Sequence, residues 1–167
     1  MRQQIFSLGE NKLTTDYEVV LDLGEQPWGN NFLTESEVGK EPSYPLKLVY
    51  CNQSELLQLS YFVPKEVMFL NHTYLSGMTK SLQSHFYNTA KENLEDLNLS
   101  FDDVVVDIGG NDGTQLLEYR KLGFNNVINI ESASNICKLS EASGITSHNM
   151  FFNEDNIKDV IDKGSVK

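Results

Sequence analysis

Cysteine is scarce in this chain of 167 residues, where Cys51 and Cys137 are the two thiols present. Two cysteines are too few for a disulfide framework. Cys137 recurs with Ile136 and Leu139 at helical spacing, so we expect it to be an inert residue of the core. Basic residues are also few: the chain has 13 Lys and Arg against 24 Asp and Glu, which gives a net charge of −11. This charge, with no basic stripe, disfavours binding to nucleic acid or to anionic membranes.

Long apolar runs are missing as well. No stretch approaches the roughly 20 apolar residues that a membrane span requires, and the first residues lead into no signal-peptide core. We therefore expect a cytoplasmic protein without a membrane segment. What the sequence does contain is 40% hydrophobic and 10% aromatic residues, which is enough for a packed core of about one domain.

The apolar pattern divides the chain into three parts. Short apolar pieces alternate with turn residues over 1–62 and predict a small β-rich module. Residues 63–98 form a helical connector, with a short turn over 65–70 and a helix from about Thr79 to Leu94. Over 99–167, strands at 104–107, 126–130 and 145–148 alternate with helices at 113–121, 133–142 and 154–162. This alternation predicts a partial Rossmann-like parallel sheet, so the whole chain is α+β with an α/β second half.

A glycine-rich turn follows the first of these parallel strands, in the sequence Val104-Val105-Val106-Asp107-Ile108-Gly109-Gly110-Asn111-Asp112-Gly113. Glycines let a backbone turn sharply and approach a ligand, and the next helix begins with unpaired N–H groups. A dinucleotide fingerprint requires G-x-G-x-x-G, but Asn111 and Thr114 replace the second and third glycines. The spacing therefore argues against NAD and FAD. It favours a cofactor without phosphate that carries an ammonium and a sulfonium, as S-adenosylmethionine (SAM) does.

A second carboxylate supports a cofactor site. Glu131 ends the strand at 126–130, about twenty residues after the turn, where such folds bind the ribose hydroxyls. Asp107 ends the preceding strand of the same βαβ unit. The alternative is that the turn is only a tight strand-to-helix connection and Glu131 a solvated strand end. Because both carboxylates lie at strand ends, we favour cofactor binding.

A set of short segments is spread in order over nearly the whole chain: 20–24 with Pro27 and 30–33, 44–46, Cys51 with 56–59, 74–76 with 85–86, 105–114, Glu131 with Asn135, and 144–145 with 151–152. Together these segments resemble the nucleotide-sugar C-methyltransferases of deoxysugar biosynthesis, from their N-terminal zinc-binding module into the first half of a class I SAM-dependent core.

The resemblance also exposes a departure at the zinc site. The family carries C-x-x-C-G and a second C-x-x-C, whose four thiolates bind a structural zinc. Here the corresponding stretches are 5–9 and 51–54, and Cys51 is the one cysteine they keep. We predict that zinc is absent and that Ile5 and Leu8 pack in its place. A rearranged site completed by His72 or His85 is the alternative, although neither residue lies at ligand spacing from Cys51.

A second departure concerns the end of the sequence. Residues 165–167 look like the entry to the next strand of a class I sheet, which would lie beside strand 104–107. Without it, that strand has a bare edge, so we expect either a homodimer across the edge or a fragment of a longer product. The region that would hold the general base and most of the sugar pocket is not in the sequence, so we expect the chain as given to be inactive.

The resemblance assigns roles to individual residues. Gly109, Gly110, Asn111 and Gly113 would form the cradle for the methionine end of SAM, and Asp107 would fix the turn or the ammonium. Glu131 would bind the ribose, and Asn135 would contact the adenine side. Tyr74 and His85 are candidates for the pocket above the sulfonium, with structural roles as the alternative. The substrate would be a keto-deoxy nucleotide sugar. Two other functions stay open: a non-catalytic SAM-binding or regulatory module, and a nicotinamide-binding Rossmann domain.

Overall fold

The computed structural model describes residues 3–29 and 31–161. The chain divides into two units between Met68 and Phe69. Most of the predicted connector 63–98 thus falls in the second unit. Within the described residues, no helix has both the length and the apolar character to cross a membrane.

The first unit consists of a hairpin and a small antiparallel sheet. The hairpin pairs β1 (Ile5–Ser7) with β2 (Lys12–Thr14). The sheet has the order β3 (Tyr17–Pro27), β4 (Ser43–Cys51) and β5 (Leu56–Leu59). Its core is the buried cluster of Ile5, Tyr17, Val49 and Cys51. The β-rich first part predicted from the sequence is therefore confirmed.

Strand β3 is exposed along most of its length. Among the described residues it pairs with β4 alone, and its register is interrupted between Val19 and Leu21 and again between Asp22 and Glu25. Four of its apolar side chains are about half exposed: Val19, Val20, Leu21 and Leu23. A long edge strand of this kind can pair with another chain, and bulges are a common defence against such pairing.

Helices precede the second sheet. Helix α1 (Lys65–Phe69) is followed by a 3₁₀ turn at Ser76–Met78 and by α2 (Lys80–Asp96). Thr79 caps α2, because its Oγ1 accepts the N–H of Leu82 at 3.3 Å; this satisfies one of the unpaired donors of the first turn. Ala90 of α2 is fully buried with Leu116, Tyr119 and Phe124 in the core of this unit.

The second sheet is parallel, as the alternation of strands and helices predicted. Its order is β6 (Val104–Ile108), β7 (Asn126–Ile130) and β8 (Thr146–His148). The connecting helices are α3 (Thr114–Leu122), α4 (Ser134–Ala142) and α5 (Glu154–Ile161). The predicted end of the last helix at 162 and the predicted strand entry at 165–167 lie outside the described residues. The partial Rossmann-like fold is confirmed.

Candidate functional site at the glycine-rich turn

A cavity of about 350 Å³ opens where β6 and β7 end. Ligands of open α/β sheets bind at the carboxyl ends of the strands, and this volume lies within the range of small-molecule sites. The wall combines the turn, the end of β7 and the segment after β8. Its lining residues are Phe69, His72, Ile108, Gly109, Asn111, Ile130, Glu131, Ser132, Ala133, Met150, Phe151 and Phe152.

Two glycines of the turn are required by close packing. A Cβ on Gly110 would lie 2.5 Å from Asn129 Oδ1, and a Cβ on Gly113 would lie 2.5 Å from Ser140 Oγ. Gly113 also has φ +78°, which an L side chain rarely adopts. The turn therefore lies directly against β7 and α4. This explains the glycines without a ligand, so the glycine pattern alone does not establish cofactor binding.

Asn111 occupies a left-handed conformation, with φ 52°, at the position where a dinucleotide fingerprint has glycine. Its backbone N–H donates to Glu131 Oε2 at 3.0 Å, and its carbonyl accepts from Asn129 Nδ2 at 2.9 Å. Its side-chain Oδ1 accepts the N–H of Ser76 at 2.9 Å, and its Nδ2 donates to the carbonyl of Tyr74 at 3.1 Å. Four hydrogen bonds hold a strained residue, which fixes the shape of the turn.

Asp112 occupies the N-terminus of α3. Its Oδ1 accepts both the N–H and the Oγ1 hydroxyl of Thr114, at 3.1 and 2.6 Å. Its Oδ2 accepts the N–H of Gly77 at 2.8 Å. Helix N-termini are the usual binding places for phosphate, but here a carboxylate takes that position and repels anions. The sequence analysis gave Asp112 no role, and the usual capping signal does not identify it, because it lies one position before the N-cap residue Gly113.

The two predicted carboxylates are both brought to this edge of the sheet. Glu131 is 8% exposed, and its Oε1 accepts the N–H of Ala133 at 2.7 Å while Oε2 holds the N–H of Asn111. Burial raises the pKa of Asp107 above its ordinary value, and the negative charge of Glu131 raises it further. Of the two, Glu131 lines the cavity, whereas Asp107 does not and lies next to Gly110. A perturbed pKa of this kind is common at functional sites.

The segment 69–77 is tied to the site by side chains of the turn and of α4. Asn135 Oδ1 accepts the N–H of His72 at 3.2 Å, and Asn135 Nδ2 donates to the carbonyl of His72 at 2.7 Å. Ser132 Oγ donates to the carbonyl of Phe69 at 3.1 Å. Asn135 thus holds this segment in place, and its contact with adenine stays a prediction.

His72 lines the cavity, which the sequence analysis missed. Its Nδ1 accepts the N–H of Tyr74 at 3.1 Å, so in the neutral ring the proton is on Nε2.

The candidates Tyr74 and His85 are not among the residues that line the cavity; Tyr74 is 55% exposed and His85 is exposed on α2. Their roles stay predictions. Contacts between residues more than 30 positions apart, such as Tyr74 with Asn111, leave no local signal in the sequence.

Among its described residues, the first unit has no group of side chains arranged as four zinc ligands. Ile5 and Cys51 share a buried apolar cluster, as predicted, but Leu8 is 53% exposed, so its predicted packing is wrong. Leu8 lies in the turn between β1 and β2, where Gln58 Oε1 accepts its N–H at 2.9 Å and Gln58 Nε2 donates to the carbonyl of Phe6 at 2.7 Å. The side chain therefore faces outward. Within the described ranges, no cluster of three His, Cys, Asp or Glu could hold a metal. The residues at 5–9 and 51–54, which keep Cys51 as their one cysteine, therefore do not fit a tetrahedral zinc site.

Comparisons with known proteins agree with this arrangement of units. Residues 13–69 match the family model Methyltransf_13, described as a putative zinc binding domain. The C-methyltransferase NovU of Streptomyces niveus is 27% identical over 131 residues, which is 78% of this chain and 31% of that relative. The chain spans about a third of the relative's length. The resemblance to C-methyltransferases inferred from the sequence is thus confirmed.

Proposed function

We propose that this relative of a C-methyltransferase binds SAM at the glycine-rich turn and serves methyl transfer to carbon. The observation that carries the proposal is the acidic character of the turn. Asp112 accepts the first N–H of α3, where a phosphate would bind, and Asp107 and Glu131 stand near the ends of the neighbouring strands. The carboxylates of Asp112 and Glu131, together with the carboxyl group of Asp107, favour a cofactor with positive charge and no phosphate. This supports SAM over a nicotinamide dinucleotide.

Each residue would bind a particular part of this cofactor. Gly109 and Asn111 line the cavity and would receive the methionine end, and Asp107 would attract its ammonium group. The Glu131 carboxylate would accept the ribose hydroxyls. Adenine would pack on the apolar wall near Phe151 and Phe152. When bound, SAM would supply an electrophilic methyl group on a sulfonium.

The proposed substrate is a keto-deoxy nucleotide sugar. This follows from the family resemblance, in which a carbon next to a ketone loses its proton before it receives the methyl group. Such a reaction needs a base, stabilisation of the enolate and close approach of two carbons. Tyr74 and His85 stay candidates for the walls of that substrate site.

Calorimetric titration tests the cofactor. We expect S-adenosylhomocysteine (SAH) to bind and NADH not to bind. Glu131→Ala should abolish SAH binding, whereas Glu141→Ala, an exposed carboxylate on α4, should leave it unchanged. NADH binding without SAH binding would overturn the assignment.

A second candidate function is a SAM-binding module without catalysis. It is favoured by the first unit, where the zinc ligands of the resembling family are replaced and Gln58 holds the β1–β2 turn instead. The two functions differ in their products. Incubation with methyl-labelled SAM and a 4-keto deoxy nucleotide sugar should give labelled sugar if the chain is catalytic, and bound but unreacted SAM if it is a binding module.

A further inference from the structure

Asn129 is a polar residue in the middle of β7, between Ile128 and Ile130, and is fully buried. Strands of covered parallel sheets usually have apolar side chains at such positions, and a buried amide needs hydrogen-bond partners. None of the roles described above requires it. Its position two residues before Glu131 places it directly beneath the glycine-rich turn.

The orientation of the Asn129 carboxamide is fixed by its neighbours. Its Nδ2 donates to the carbonyl of Asn111 at 2.9 Å and to Ser140 Oγ at 2.9 Å. A backbone carbonyl can only accept, so the NH₂ group must face Asn111 and the oxygen must face the other way. Asn129 therefore anchors the one left-handed, non-glycine residue of the turn.

The oxygen of Asn129 faces Gly110 and Asp107. A Cβ placed on Gly110 would lie 2.5 Å from Asn129 Oδ1 and 2.8 Å from Asp107 Cγ, so both groups border the same point. Oδ1 is buried without a hydrogen-bond donor from the described residues. A buried acceptor without a donor is costly and needs an explanation.

A neutral Asp107 would provide that donor, because a protonated carboxyl group has an O–H that a carboxylate lacks. The surroundings favour the neutral form. Burial raises the pKa of Asp107, and Glu131 at the end of β7 adds a negative charge. On the turn itself, the carboxylate of Asp112 is directed to Gly77 and Thr114.

We propose that Asn129 is a positioning residue of the candidate cofactor site, and that its oxygen accepts a hydrogen bond from the O–H of neutral Asp107 while the site is empty. Binding of a ligand with an ammonium group would convert Asp107 to the carboxylate, and the proton would pass to solvent. The second part of this proposal, proton release when a ligand binds, rests on the proposed function. The first part, the hydrogen bond between Asp107 and Asn129, does not depend on it.

The pair is tested first without ligand. In ¹³C NMR titrations, the Asp107 carboxyl, assigned with Asp107→Asn, should titrate above pH 3.8, and the Asn129 side-chain amide signals should move with the same midpoint. Asn129→Leu should lower the midpoint, while Asn125→Leu, an exposed residue before β7, should not. If Asn129→Leu does not fold, the amide signals of the wild-type protein alone provide the test. Asn129 amide signals that do not change as Asp107 titrates would contradict the hydrogen bond between the two residues.

Proton release is tested with SAH. Calorimetry in two buffers of different ionisation enthalpy, at pH values on both sides of the midpoint found by NMR, should show release of up to one proton on binding below that midpoint. Asp107→Asn should remove this release, and Asp102→Asn, an exposed carboxylate, should keep it. SAH binding by the wild-type protein without proton release would contradict the proposed proton release. Absence of SAH binding would instead contradict the proposed function, and the NMR titration would still test the hydrogen bond between Asp107 and Asn129.

Discussion

Asp107 carries an ionisable carboxyl group that is partly removed from solvent. Its pKa is raised in the folded protein, so the folded state binds this proton more tightly than the unfolded chain. The resulting stability is fully present below about pH 3.8 and is lost as the pH rises through the folded-state pKa. At higher pH the half-buried carboxylate is a cost that a purely structural residue would not need.

Replacing Asp107 with Asn should therefore stabilise the fold at high pH while weakening the site. We expect the free energy of unfolding in urea to increase more at pH 8 than at about pH 3, where the carboxyl group is neutral in both states, and SAH affinity to fall at least tenfold. Asp102→Asn is the control, with neither effect. Equal or lower stability of Asp107→Asn at pH 8 would contradict the view that function holds this carboxylate in place.

Single residues also show what the sequence could and could not reveal. Glu131 was predictable because the apolar pattern of its strand and its spacing from the turn can both be read directly along the sequence. Leu8 was predicted wrongly, because the hydrogen bonds of Gln58, 50 positions away, turn its N–H inward and its side chain outward. His72 was missed for the same reason, since Asn135 holds it from 63 positions away.

At the scale of elements, α3 depends on Asp112 for its first turn. Asp112→Ala should cost about 1 kcal/mol of stability, the usual value for a lost cap, and should also free the Gly77 N–H. Asp112→Ser keeps a capping oxygen without the charge and should recover most of this loss. Urea unfolding of the three proteins measures both effects; equal stability of Asp112→Ala and wild type would show that the cap contributes nothing.

The boundaries of the elements followed their sequence signals closely where the elements are long. Strand β7 and the helices α2 to α4 were predicted to within about two residues, because apolar periodicity and glycine stops are clear there. The hairpin of β1 and β2 was not predicted. Three-residue strands are too short to show a period, and this pairing is stabilised by Ile5 packing against Cys51.

For the whole molecule, the first unit is expected to fold without metal. The apolar cluster around Cys51 and the Gln58 hydrogen bonds replace the cross-link that four thiolates would make. Purified protein should contain less than about 0.1 zinc per chain by mass spectrometry, and EDTA should leave its melting temperature unchanged. The triple variant Ile5→Cys, Leu8→Cys, Ser54→Cys is the positive control. Stoichiometric zinc in the wild type would contradict the prediction.

The free edge of β6 predicts self-association. Among the described residues, β6 pairs with β7 alone, and Val104, Val105 and Val106 line a groove of about 160 Å³ beside it. Sedimentation equilibrium should show a dimer of twice 18.9 kDa, weakened by Val104→Lys. The matched control Thr146→Lys, on β8, should not change the mass. A monomer at all concentrations would rule out the homodimer.

The interrupted register of β3 has a practical consequence for handling the protein. Its half-exposed Val and Leu side chains would stack readily into fibrils if the strand were flat. The two register shifts interrupt it, and Glu18, Asp22 and Glu25 add repulsion between copies. Aggregates should therefore form chiefly near pH 4.6, the isoelectric point of the sequence, where the chain carries no net charge, and purification well above that pH should keep the chain in solution.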